Sequence, residues 1–305
     1  MPEPTSAMQD TEILSRISAL KIQARNLVEG LLSGQHRSRH KGSSVEFAEY
    51  KDYSPGDEIR HIDWKVVGKT DKYHVKQFEQ STNLKCHILL DASGSMGYVS
   101  PRPESRAMNK MDYARVLAAA LSYLLLKQFD AVGLILFNDA ALTHIPPRSK
   151  PSHFQHILHG IAEAEPRGIT RIGQTVNSII ERLPNRSLLI VISDLLAKED
   201  DVLKNLRLVC ARGIEAILFH VLHPDEALFP FEGDIAFDSL EDDPPVGLDA
   251  AEIREAYQNL IREQIDFYRK NCPTLGVDYV FMDTASPLEQ ALSYYLLKRK
   301  SLGKR

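Results

Sequence analysis

A chain of 305 residues, 43% hydrophobic and 26% charged, has the composition of a globular protein with room for one large α/β domain with additions, or for two smaller ones. A formal net charge of −4 provides no global field for nucleic acid or an anionic membrane surface. The three cysteines, Cys86, Cys210 and Cys272, are odd in number and far apart, which argues against a disulfide scaffold or a cysteine zinc site; Cys86 and Cys210 read as small buried hydrophobes.

No apolar run reaches the ~18 residues of a membrane span, and the opening residues lack the basic-then-apolar order of a signal peptide, so the expectation is a cytoplasmic protein. Residues 10–33 set Ile13, Leu14, Ile17, Leu20, Ala24, Leu27 and Leu31 on one helical stripe, which Gly34 is expected to end. The basic, small-residue segment that follows, to residue 44, reads as a solvated linker or as an anion or partner contact. Residues 45–83 mix short alternating stretches with turn signals at SPGD and GKTDK, the pattern of short strands and loops.

From residue 85 the rhythm changes to strand-like runs alternating with helix-like ones, the signature of a mostly parallel, doubly wound α/β sheet covered on both faces. Strands are expected at 86–91, 131–137, 188–194, 215–222 and 278–283, with a short edge strand at 141–145. Helices are expected at 110–128, 151–164, 171–183, 199–213, 251–271 and 286–300. The acidic, proline-containing piece at about 224–248 reads as an excursion from the sheet. The organisation is therefore an N-terminal helix and basic loop (1–44), a small β/loop segment (45–84) and the α/β domain (85–305).

In open parallel sheets ligands sit beyond the carboxyl ends of strands. Asp91 closes the run CHILLD and Asp194 closes LLIVISD, while Thr170 lies in a polar loop just before a helix. With Ser93 and Ser95 at alternate positions after Asp91, these loops offer two carboxylates and three hydroxyls, all oxygen ligands suited to a hard cation such as magnesium. The competing reading is that the same groups cap helices and turns.

Asp91-Ala92-Ser93-Gly94-Ser95, with Thr170 and Asp194 in later loops, resembles the metal-ion-dependent adhesion site of von Willebrand factor A domains. The resemblance implies one divalent cation, Mg2+ or Mn2+, ligated directly by Ser93, Ser95 and, in some states, Thr170, with Asp91 and Asp194 acting largely through water. Such a cation, held by neutral hydroxyls, accepts a carboxylate from a partner. The stretch carrying Glu46, Phe47, Tyr50, Pro55, Gly56, Asp57, Arg60, Ile62, Asp63 and Trp64, followed by the Asp91 motif, resembles the bacterial family called domain of unknown function 58. That resemblance implies a partner or adaptor role beside MoxR-type AAA+ ATPases, the partner being the ATPase or its client and presenting Asp or Glu. Some relatives carry membrane helices near the N-terminus, and this chain departs from them.

Other residues carry less. Trp64 reads as a core anchor or a partner hot spot, and Asp57, Arg60 and Asp63 as a structural ion network. His156 and His159 share a helix face without a third ligand, so catalytic zinc is not expected. No phosphate-binding G-x-x-x-x-G-K-[ST] loop exists, and position 93 is serine where a G-x-S-x-G nucleophile elbow needs glycine. An aspartate-based phosphotransferase of the haloacid dehalogenase type would need a second aspartate at Ser93 and a lysine to balance phosphate charge, and no such lysine is evident. The expectation is a non-enzymatic binding module. The alternatives are that haloacid dehalogenase-like metal-dependent phosphotransferase and a structural interaction protein with a degenerate metal site.

Overall fold

The computed structural model describes residues 4–37, 50–52, 74–76, 84–138, 143–170, 172–196, 199–241 and 244–302. The chain divides into two compact units, one of Met1–Leu31 with Leu84–Arg305 and one of Leu32–Asn83. In the smaller unit, β1 (Tyr50–Asp52) pairs antiparallel with β2 (His74–Lys76). Residues 38–49 and 53–73 lie outside the described residues, and with them the basic loop beyond Arg37, Trp64 and the Asp57, Arg60 and Asp63 trio.

The larger unit is built on a six-stranded sheet of order β10-β7-β6-β3-β4-β5. Its strands are β3 (Lys85–Asp91), β4 (Ala131–Phe137), β5 (Thr143–Arg148), β6 (Leu188–Ser193), β7 (Glu215–Leu222) and β10 (Val277–Asp283). All neighbours are parallel except β4 and β5. The expected doubly wound α/β class is therefore met, with the antiparallel strand at one edge. Chain direction across the sheet reverses between β3 and β6, so the crevice beyond their carboxyl ends is the switch point where such sheets bind ligands.

The central strands β3, β4, β6 and β7 are buried because both faces are covered. Leu89, Phe137, Leu189, Val191 and Leu218 face α4 (Ile172–Ile180), α5 (Glu199–Ala211) and α7 (Ala250–Thr274) in one continuous core. On the other face α2 (Lys110–Lys127) packs on β3, β4, β6 and β7. It is flanked by α3 (His153–Glu163) and α8 (Glu289–Leu302), which explains why α2 is buried around most of its circumference rather than along one stripe.

Three boundaries differ from expectation for local reasons. Helix α1 (Pro4–Arg37) runs through Gly34, whose cost of about 1 kcal/mol in a helix does not stop it. Its buried line is Leu20, Ala24 and Val28, whereas Leu14 is exposed. Helix α7 passes Pro273 in its last turn and stops before Gly276, which takes the left-handed conformation at φ 77° that favours glycine. The edge strand begins at Thr143 and runs to Arg148 through Pro146 and Pro147, tolerable on an edge that needs fewer donors.

The 224–248 piece does leave the sheet. It forms the short helix α6 (Pro224–Leu228) and a separate two-stranded ribbon, β8 (Asp234–Phe237) antiparallel to β9 (Val246–Asp249). None of the three cysteines is in a disulfide, with Cys86 and Cys272 buried and Cys210 half-buried. Among the described residues, no helix is long and apolar enough to cross a membrane.

Candidate metal centre at the sheet switch point

Asp91 is the last residue of β3 and is fully buried. Its Oδ1 accepts the Ser93 N–H at 2.9 Å, the local turn that makes the chain leave the strand. Its Oδ2 accepts the Ser193 hydroxyl at 2.6 Å, which ties the end of β3 to the end of β6. Ser93 then opens a single 3-10 turn, Gly94–Gly97, and the Ser93 and Ser95 hydroxyls stand 3.2 Å apart.

The loop carrying Thr170 is held against this turn by two backbone hydrogen bonds, Gly94 N–H to Gly168 O at 2.8 Å and Arg167 N–H to Ala92 O at 2.9 Å. Thr170 itself is buried, and its hydroxyl donates to Glu241 Oε1 at 2.9 Å. Asp194 follows β6 and is fully buried. The next residue, Leu195, is buried in the left-handed region at φ 57°, an uncommon state for a branched side chain, with its N–H on the Ser193 hydroxyl.

Four side chains at the site escaped the sequence reading. Lys110, the first residue of α2, places its ammonium 2.7 Å from Asp194 Oδ2 and 2.6 Å from Glu226 Oε1, with no exposure of its side chain. A lysine at a helix N-terminus opposes the helix dipole, and that misplaced charge was the available signal. Burial lowers its proton affinity, but Asp194 and Glu226 together outweigh burial and hold it above the ordinary lysine value. Glu226 is set by a capping box: His223 N–H donates to Glu226 Oε2 at 2.9 Å. The H-x-x-E spacing of His223 and Glu226 is legible as that box. Ser193 and Glu241 gave no local sign.

Next to this cluster, Asp225 accepts from Tyr98 Oη at 3.2 Å and Arg102 Nη1 at 3.1 Å, so the loop after the 3-10 turn is fixed to α6.

Asp91 is pushed up to about 7, first by burial and then by the nearby Asp194 charge, against hydrogen bonds from Ser193 and Ser93. Asp194 and Glu226 thus share one ammonium while the nearby Asp91 is held by hydrogen bonds alone, and the cluster is short of positive charge.

The residues fit a divalent cation. The hydroxyl separation of 3.2 Å is near the ~3.0 Å edge of an oxygen octahedron with ~2.1 Å metal–oxygen bonds. The carboxylates are acceptors with lone pairs beyond the bonds just described. Among the described residues, no group of three or more His, Cys, Asp and Glu is arranged for a metal, so the hydroxyls are indispensable to the candidate set. Among the described residues the histidines give no competing centre: His159 pairs with Glu163 at 3.2 Å, and His156 stacks on His153.

An uncharacterized protein of Mycobacterium tuberculosis is 27% identical over 237 residues, covering 77% of this chain and 73% of the relative. Solved structures that superpose on the chain include BatB from Bacteroides thetaiotaomicron, at a TM-score of 0.46 and 20% identity over 72% of this chain and 99% of that one. Another is the SpRpn10 VWA domain, at a TM-score of 0.39 and 12% identity over 70% and 94%. A family model described as protein of unknown function DUF58 matches residues 49–266, well over half of the sequence, and the chain belongs to that family.

Proposed function

We propose that this protein is a metal-dependent protein-binding module. Ser93, Ser95 and Thr170 would hold Mg2+ or Mn2+ directly, and Asp91 and Asp194 would orient bound water and balance the charge. The observation that carries the reading is the pair of hydroxyls 3.2 Å apart in the loop after β3, with buried Asp91 and Asp194 at the ends of β3 and β6, the switch point of the sheet. When bound, the cation supplies a coordination position for a carboxylate oxygen of a partner, because hydroxyl ligands leave its charge poorly compensated. The partner would present Asp or Glu; the resemblance to the family suggests a MoxR-type AAA+ ATPase or its client, with the complex in the cytoplasm.

A non-enzymatic role is supported by the state of Asp91. Both of its oxygens accept hydrogen bonds, from Ser93 N–H and the Ser193 hydroxyl, and it is fully buried, so it is a poor nucleophile for phosphoryl transfer. Lys110 is a lysine at the site, but its ammonium is committed to Asp194 and Glu226 rather than open to a phosphate.

Calorimetric titration of metal-stripped protein with Mg2+ and Mn2+, beside a Ser93→Ala/Ser95→Ala variant, tests the reading. The expected result is binding by the native chain and its loss in the variant. A second reading draws on the Lys110 ammonium 2.7 Å from Asp194 Oδ2: the lysine acts as the resident cation and the protein is a structural interaction module with a degenerate site. Absence of binding by the native chain would favour that reading over the first.

A further inference from the structure

The connection between β8 and β9 reaches back to the candidate metal centre. Both Thr170 donors point to one carboxylate of this connection: the hydroxyl to Glu241 Oε1 at 2.9 Å and the N–H to Glu241 Oε2 at 3.4 Å. One residue earlier, the Leu240 carbonyl lies over the Ser93–Ser95 turn. A Cβ on Gly94 would stand 1.8 Å from Leu240 O and 2.9 Å from its carbonyl carbon, so the approach exists only because residue 94 is glycine. The segment is shaped for this contact by its own turn, in which Glu241 N–H donates to Ser239 Oγ at 3.0 Å.

Thr170 thus already accommodates a side-chain carboxylate, the chemical group that the metal reading assigns to a partner. We infer that Glu241 is the site's internal carboxylate ligand, a tethered occupant of the position that an acidic segment of a partner takes by displacing it. This rests on the metal-site reading above. It deepens that reading in two ways. The partner's acidic residue must compete with a carboxylate already attached to the chain, which sets a threshold on its affinity. Binding of the partner is also coupled to release of the β8–β9 connection, so the ribbon reports the occupancy of the site.

The test uses the full chain with Mn2+ as the probe, read by water-proton relaxation, which responds to the water molecules directly on the ion. Wild type, Glu241→Ala and Asp238→Asn are compared, the last removing an exposed charge of the same ribbon connection. Glu241→Ala is expected to weaken Mn2+ by about tenfold, the loss of one charged ligand, and to raise the relaxation enhancement as water replaces the carboxylate. Added acetate should lower the enhancement of Glu241→Ala at concentrations that leave wild type unchanged, and Asp238→Asn should match wild type.

Equal affinity and equal enhancement in wild type and Glu241→Ala would overturn the internal ligand while leaving the metal site standing. The same changes in Asp238→Asn would overturn it too, by showing a general effect of charge. A wild-type chain that binds no Mn2+ would overturn the metal reading, and the internal ligand with it.

Discussion

Lys110 is the residue on which the charge balance of the site turns. A buried ammonium between two carboxylates contributes little compared with an apolar replacement of the whole cluster, but removing it alone strands the acids. Lys110→Met should therefore cost about 3–5 kcal/mol in urea unfolding, because Asp194 has no exposure to water and Glu226 little. Mg2+ should restore part of that loss if a cation at the hydroxyl pair shares the compensation. A variant as stable as wild type would show that the pairing is energetically idle.

The same cluster marks how far single residues are readable. Asp91, Ser93 and Ser95 lie within one five-residue stretch, and Asp91 and Asp194 each end an apolar run, so their strand-end positions are written locally. Lys110 and Asp194 are 84 positions apart, and Thr170 and Glu241 are 71 apart. Nothing local pairs them; only the crossing of the chain at the switch point does.

At the scale of elements, the central strands and helices are legible because each carries a period matched to its burial. β4 and β7 fall on their expected residues, since continuous apolar runs bounded by polar turns have one solution in a sheet covered on both faces. The edge is less legible. β5 pairs with β4 through a register shift between Val132 and Leu134, at which Gly133 lies against the β5 backbone. A Cβ there would stand 2.8 Å from Ile145 O and 3.0 Å from Pro147 N, both backbone atoms that cannot rotate away. Gly133→Ala should consequently destabilise the domain by about 1–3 kcal/mol through overpacking, seen as a lower urea midpoint with unchanged slope. An unchanged midpoint would mean that the edge strand can shift outward freely. The helix ends misread from sequence, at Gly34 and Pro273, have a common local cause: each residue weakens a helix without ending it.

For the whole molecule, two core histidines link global stability to pH. His87 lies inside β3, with neither ring nitrogen hydrogen-bonded among the described residues. It is pushed down to about 4 by burial first, then by His144 and Lys85. His220 lies inside β7, its Nδ1 2.8 Å from Tyr279 Oη, and burial pushes it down to about 4 despite the Asp194 charge.

Both are neutral in the folded protein where the unfolded chain begins to take up protons near the ordinary value of 6.5. The unfolded state binds more protons between about 6.5 and about 4, so stability falls as pH falls through that window and changes no further from these groups below it. A displacement of that size corresponds to about 3 kcal/mol for each histidine, a large share of the 5–15 kcal/mol that holds a typical domain. Asp91, held up to about 7, takes up its proton in the folded state over the same window and opposes the histidines, so their share is read by difference: between pH 8 and pH 4, His87→Leu should lose about 3 kcal/mol less in urea unfolding than wild type. Leucine keeps the apolar volume of the strand interior and cannot take up a proton in either state. If His87→Leu loses stability with acid as steeply as wild type, the dependence belongs to other groups, and the buried imidazole of β3 is not what ties this fold to neutral pH.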